Sequence, residues 1–249
     1  MNETIETLLN HRSIRKFKEQ ALSEQQVTLI VQAAQMASTS SFIQAYSIIG
    51  VENKETKVTL ARLAGNQPYV EKNGHFFVFC ADLHRHTVAA KMEKADITPA
   101  IETTEKFMVA VIDASLAAQN AAIAAESMGL GMCYIGGLRN ESEEVSALLQ
   151  LPDNVIPLFG MAVGVPDSVT DQKPRLPVNQ IYYKETYPSE QKTIEKGLES
   201  YNQIISSYYS DRTKGERNDR WTDQMTQMLG TPRRIHMKDF VQQKGFMKS

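Results

Sequence analysis

Cysteine is scarce in this sequence. The 249 residues carry two, Cys80 and Cys133, and neither belongs to a C-x-x-C pair or a histidine-rich neighbourhood. Both stand in apolar runs, so they read as reduced core thiols in a reducing compartment, and a disulfide framework is excluded. An excess of charge is also lacking: 27 basic residues face 29 acidic ones, for a net charge of −2. No global field therefore recruits nucleic acid or an anionic membrane surface. The start, MNETIETLLNHRSIR, is polar and has no apolar signal-peptide core, so a cytoplasmic location is expected. There is no H-E-x-x-H motif. The two histidines of Asp82-Leu83-His84-Arg85-His86 have no third ligand nearby, and no metal is expected. Internal repeats and low-complexity tracts are absent.

What is there is enough apolar material for a full core. At 42% hydrophobic and 22% charged, residues 1–249 are expected to form one domain of generous size. Its organising stretch is FMVAVIDASLAAQNAAIAAESMGLGMCYIGGLR, residues 107–139. From Ala110 to Met128 nearly every position is small or apolar, which predicts a helix buried on several sides and closely approached by neighbouring backbones. Its length is near that of a membrane span. Asp113, Gln119, Asn120 and Glu126 would each be expensive in hydrocarbon, so it is read as the central helix of a soluble domain. Gly129 ends the helix, Met132 to Ile135 form a short strand, and Gly136-Gly137 follow. Those two glycines let a backbone come close to a flat ligand, although turn glycines give the same pattern. A dinucleotide fingerprint is excluded, because the order here is helix, G-x-G, strand, G-G.

Along the chain, Asn2 to Thr4 offer an N-cap, and Ile5, Leu8 and Leu9 mark the buried face of a short helix. His11-Arg12-Ser13-Ile14-Arg15-Lys16 follows. Arg12 and Arg15 are spaced to reach one anion, with the Ser13 hydroxyl beside them; a solvated basic turn has the same composition. Ser23-Glu24-Gln25-Gln26 is a capping box opening the next helix. Thr39, Ser40, Ser41 and Phe42 suit a site that hydrogen-bonds the rim of a heterocycle and covers its face, though a plain Ser-rich loop is the commoner source of such a run. Strands are expected at 45–51, at 75–81 with burial on both faces, and at 155–165 with an interruption at Gly160. Residues 91–103 read as a loop or lid. Lys173-Pro174-Arg175-Leu176-Pro177 holds two cations in extended geometry, a good anion clamp. From Tyr187 the composition shifts to a surface helix at 191–209, a charged loop at 211–220 and two short helices.

In this order the signals resemble, from end to end, the NfsA/Frp-type bacterial nitroreductases and flavin reductases. The motifs that carry the likeness are HRSIR at 11–15, STSSFIQ at 38–44, the Gln67 turn, AAQNAAIAAESMGLGMCYIGGLRN at 117–140 and KPRLP at 173–177. The resemblance implies an α+β fold, a mainly antiparallel sheet flanked by helices around a buried central helix. It also implies an FMN-containing homodimer whose C-terminal segment, here 184–249, wraps the partner. Carried onto this sequence, His11, Arg12, Ser13 and Arg15 would hold the FMN phosphate and ribityl chain, joined by Lys173 and Arg175. Thr39, Ser40 and Ser41 would meet the ring from the partner subunit, with Phe42 on the open substrate face and Gln67 and Tyr69 beside the ring. The backbone of Tyr134, Ile135, Gly136, Gly137 and Leu138 would line the isoalloxazine. The 211–220 loop falls where the family places a mobile arm, and Arg212 and Arg217 are expected to read the 2′-phosphate of NADPH.

No catalytic acid or base is required by such chemistry, because FMN carries the redox step between NADPH or NADH and a small-molecule acceptor. Free flavin, nitroaromatics, quinones and azo compounds all fit an open face in a ping-pong cycle. A flavin-binding protein without turnover is the other class that these residues admit.

Overall fold

A computed structural model describes residues 1–249. The chain divides into two compact units: Met1–Thr170 with Arg234–Ser249, and Asp171–Arg233. Residues 234–249, expected as the end of a C-terminal arm, thus pack with the first unit.

In the first unit, helix starts follow their capping residues. The Asn2 side chain accepts from Ile5 N at 3.0 Å to open α1 (Glu3–Leu9). Ser23 and Gln26 cap each other reciprocally at the head of α2 (Glu24–Gln35). After β1 (Tyr46–Val51) come α3 (Lys54–Leu63), α4 (Pro68–Glu71), β2 (His75–Asp82), α5 (His84–Met92) and α6 (Thr98–Ile101). The stretch expected as a loop or lid at 91–103 holds the end of α5 and the single turn of α6, with non-helical chain between and after them, and Ile101 buries its side chain in the core. Helix α7 (Thr104–Ser127) is followed by Gly129 at φ +73, a conformation that glycine adopts without a Cβ clash. Strand β3 (Gly131–Ile135), a 3-10 turn at Gly136–Asn140, α8 (Ser142–Leu148) and β4 (Val155–Gly164) complete the sequence up to the second unit. That second unit holds α9 (Gln191–Arg212) and α10 (Trp221–Leu229), and α11 (Met237–Gln243) belongs again to the first.

The four strands form one sheet in the order β1-β2-β4-β3, with every neighbouring pair antiparallel. Strand β2 is buried at all eight positions, and alternation explains how. Phe77, Phe79 and Ala81 face the layer of α2 and α7, while Phe76, Val78 and Cys80 face that of α3 and α8. Each of these phenylalanines stabilises the fold by about 1.5–3 kcal/mol through burial. Gly160 does not interrupt β4, contrary to expectation. The Phe76 ring fills the space that a Cβ at Gly160 would need, so the glycine makes room for an aromatic across the sheet. Both cysteines are free and buried, and burial pushes the Cys80 thiol up to about 12.

Helix α7 packs Ala110, Ala114, Ala117, Ala118, Ala121 and Ala125 into the core. By length and composition it is apolar enough to cross a membrane, yet Asp113 on it is fully enclosed and hydrogen-bonded within the protein. Its Met108, Ile112 and Leu116, one turn apart, stay 52%, 49% and 45% exposed. Helix α1 corrects its expectation too. None of its residues is buried, Ile5, Leu8 and Leu9 included, because its packing against α7 leaves that face only partly covered.

Candidate functional site

The basic segment runs beside the sheet as an added edge. Ile14 N donates to Met132 O at 2.9 Å, Ser13 bridges Met132 in parallel register, and Lys18 N donates to Val165 O at 2.9 Å. Alternation along this extended piece buries Ile14, whose side chain would lie 2.7 Å from a Cβ at Gly131. Ser13 and Arg15 meet the Cys133 thiol instead. Burial pushes that thiol up, while the charge of Arg15 and the hydrogen bonds of Ser13 and Arg15 pull it down.

From Arg15 the contacts continue. Its guanidinium lies 6.0 Å from the centre of the Tyr69 ring, Tyr69 Oη donates to Gln67 Oε1, and Gln67 Nε2 donates to Ala64 O at 2.6 Å. Ala64 O and Gln67 Nε2 in turn occupy the place of a Cβ at Gly137, and Arg139 stands 3.2 Å from that of Gly136. Packing within the protein thus requires glycine at 137, where a Cβ would meet the Ala64 backbone, whereas at Gly136 the neighbour is the end of a flexible side chain. Ser13, Arg15, Gln67, Tyr69 and the 136–137 backbone form one continuous patch. Tyr134 serves as a brace: its hydroxyl donates to Ala118 O at 2.8 Å, and burial, then the charge of Glu126, push its pKa up. Ile135 and Leu138 are buried.

At the start of the segment, His11 Nδ1 is 2.7 Å from Glu126 Oε1 near the end of α7. Arg12 donates through Nε to Asn10 O at 3.0 Å, which leaves the two terminal nitrogens of its fork for a bidentate contact with an oxyanion.

The hydroxyl run lies against the N-terminal half of α7. Ser40 N and Ala45 N donate to the two carboxylate oxygens of Asp113, each at 3.0 Å. Between them the backbone is strained, with φ of 48°, 60° and 55° at Ser41, Phe42 and Gln44, and Phe42 is 81% exposed. Asp113 and Glu126 are separated by 13 residues of helix, or ~20 Å. The anchor of the hydroxyl run and that of His11 therefore lie about 20 Å apart along the helix.

The second unit gathers the remaining cations around tyrosines. Lys173 Nζ lies 5.5 Å from the centre of the Tyr209 ring, and Arg217 covers the same ring at 4.5 Å. Burial raises the Tyr209 phenol, but Lys173, Gln224 and Arg217 together bring it below its ordinary value. Arg175 donates to Lys173 O at 2.7 Å. Arg212 is the last residue of α9 rather than part of a loop, and it donates to Tyr208 Oη at 2.8 Å.

Sequence reasoning noticed Asp113 and Glu126 only as costly polar interruptions. Their roles as anchors for Ser40 and His11 come from pairs 73 and 115 residues apart. The available signal was that an ionised side chain in an alanine-rich helix needs a partner.

The fold and these sites define the class of the protein. Residues 8–165 match the Nitroreductase family, and residues 173–249 match the Nitroreductase family, C-terminal domain. The chain belongs to the nitroreductase family. It is similar to the FMN reductase (NADPH) of Bacillus subtilis strain 168, with 53% identity over 249 residues and all of both chains covered. Among solved structures it is similar to B. megaterium NfrA1, at 64% identity and a TM-score of 0.98, covering 99% of this chain and 100% of that one. The NADPH:FMN oxidoreductase from Vibrio harveyi complexed with NAD+ is 39% identical, with a TM-score of 0.88 and 100% of both chains covered.

Proposed function

We infer that this chain is an FMN-dependent NAD(P)H oxidoreductase, a flavin reductase or nitroreductase acting as a cytoplasmic homodimer. The observation that carries this is the patch in which Arg15, Ser13, Tyr69 and Gln67 adjoin the Gly136-Gly137 backbone. Its donor set fits FMN: guanidinium forks and a hydroxyl suit a phosphate, and a tyrosine, an amide and bare backbone suit the rim of a flat ring. Arg12, Ser13 and Arg15 bind the phosphate and ribityl chain, and His11 is oriented for the same task by Glu126. Gln67, Tyr69 and the backbone of 134–138 orient the ring. When bound, FMN supplies the hydride acceptor and donor.

The span of about 20 Å between the helix positions that anchor Ser40 and His11 supports a shared site, with Thr39 to Ser41 contributed by the partner subunit. The exposed stripe of Met108, Ile112 and Leu116, together with the partly exposed Ile5 and Leu8 of α1, supports the same assembly. Donor and acceptor use one open face in turn beside Phe42, so the kinetics are ping-pong. Free flavin, nitroaromatics, quinones and azo compounds are the acceptor class. Arg217, with Arg212 near it on the chain, reads the 2′-phosphate of NADPH. Purified protein is expected to be yellow and to bleach within seconds when NADPH is added without oxygen. Flavin that stays oxidised would instead mark a binding protein without turnover.

A further inference from the structure

Arg217 is not an open cation. Its Nε donates to Asp219 Oδ2 at 2.9 Å, and a terminal nitrogen makes a second, shorter contact with the same oxygen. From α10, Gln224 Nε2 donates to that oxygen as well, at 3.0 Å, so the carboxylate is held from both sides. The Arg217 backbone N–H donates to Thr213 Oγ1 at 2.9 Å, which sets the loop around the pair. The hydrogen bond from Arg217 keeps the Asp219 carboxyl below its ordinary range, and Asp219 in turn raises Arg217.

The pair lines a cavity of about 550 Å³ together with Tyr209, Arg220, Asp223 and Gln224. Arg220 has its own counter-ion there, with Nε 3.6 Å from Asp223 Oδ2. The hollow is the right size for a phosphorylated ribose, yet two carboxylates offset its two guanidinium charges. A phosphate dianion gains full contact with Arg217 only when Asp219 lets go. Both partners are partly exposed, and an ion pair in that setting is weak enough to open.

We propose that Asp219 sets the preference of this enzyme for NADPH over NADH, by holding Arg217 in an internal ion pair that the 2′-phosphate of NADPH must displace. This rests on the reading of Arg217 as the residue that binds that phosphate. Asp219 is a specificity-determining residue that acts through Arg217, and the carboxylate weakens NADPH without touching NADH chemistry.

The test uses the FMN-loaded enzyme with Asp219→Asn, Asp219→Glu, Arg217→Ala and the Asp219→Asn/Arg217→Ala double variant. The readouts are the ratio of kcat/KM for NADPH to that for NADH, and the inhibition constants of 2′,5′-ADP and 5′-AMP. Asp219→Asn is expected to raise the ratio and tighten 2′,5′-ADP by about two- to fivefold. Asp219→Glu restores the wild-type ratio, and the double variant matches Arg217→Ala alone, which lowers it. A gain in selectivity is not produced by structural damage. If Arg217→Ala lowers the ratio while Asp219→Asn leaves it unchanged or lower, the role of Asp219 is overturned and the reading of Arg217 stands. If Arg217→Ala leaves the ratio unchanged, that reading fails and the proposal with it.

Discussion

His11 and Glu126 are joined at 2.7 Å across 115 residues, imidazole Nδ1 to carboxylate Oε1, so that the end of the central helix orients the first residue of the cationic segment. Glu126→Ala is expected to weaken FMN about threefold to tenfold in a fluorescence titration. An unchanged dissociation constant would mean that the pair only braces the helix.

Arg12 makes a direct test of the phosphate placement. Its replacement by Ala removes a charge-assisted contact of about 1.5–3 kcal/mol, or roughly tenfold to a hundredfold in flavin affinity. Should the variant retain flavin as the wild type does, the phosphate lies elsewhere.

Asp113 carries the hydroxyl loop. Asp113→Ala leaves the buried N–H of Ala45 and the part-buried N–H of Ser40 without acceptors, at a cost of about 1–3 kcal/mol. The urea midpoint reads this loss. A shift equivalent to less than about 0.5 kcal/mol, as at an ordinary surface site, would show that the strained turn holds itself.

The uncovered face of α7 predicts the assembly. Ile112→Glu places a charge in the middle of the stripe and is expected to yield a monomer in light scattering that has lost its flavin. Wild-type protein that scatters as a monomer with FMN bound would end both the dimer and the shared site.

His75 predicts the pH dependence of stability. It is 3% exposed, with Nδ1 3.3 Å from Glu52 Oε1 and Nε2 closed in against Gly50. Burial lowers its pKa, Glu52 raises it and Lys57 lowers it, for a net decrease from 6.5. The unfolded chain therefore binds this proton first, so the stability present above pH ~6.5 falls as pH drops below that value. Chemical denaturation between pH 7 and 5 should show the decline, with a shallower slope in His75→Phe. Parallel slopes would place the titration on another group.

How far the sequence reached depended on the range of the cause. The Ser23 to Gln26 box and the Gly129 stop are local and were legible, as was the double-sided burial of β2, since an unbroken apolar run leaves no face for water. Ile5 and Leu8 misled because an apolar helix face announces burial without saying which chain provides the cover. Gly160 misled because its reason, the ring of Phe76, is 84 residues away. Gly137 also has a long-range neighbour that the sequence did not announce, the Ala64 carbonyl, 73 residues away. Arg217 was visible within a run of mixed charge. Its choice of Asp219 over Glu216 was not, because pairing depends on how the loop turns.

The 13-residue step from Asp113 to Glu126 makes α7 a ruler. At ~100° of rotation per residue, the two carboxylates point roughly 140° apart around the axis as well as ~20 Å along it. A single inserted or deleted residue between them would swing one anchor by about a quarter turn, and either Ser40 or His11 would lose its acceptor. Side chains along this helix are free to change within the limits of packing, but the count of residues is not. Length here is itself a functional constraint, set by the need to hold two loops at a fixed span and a fixed angle.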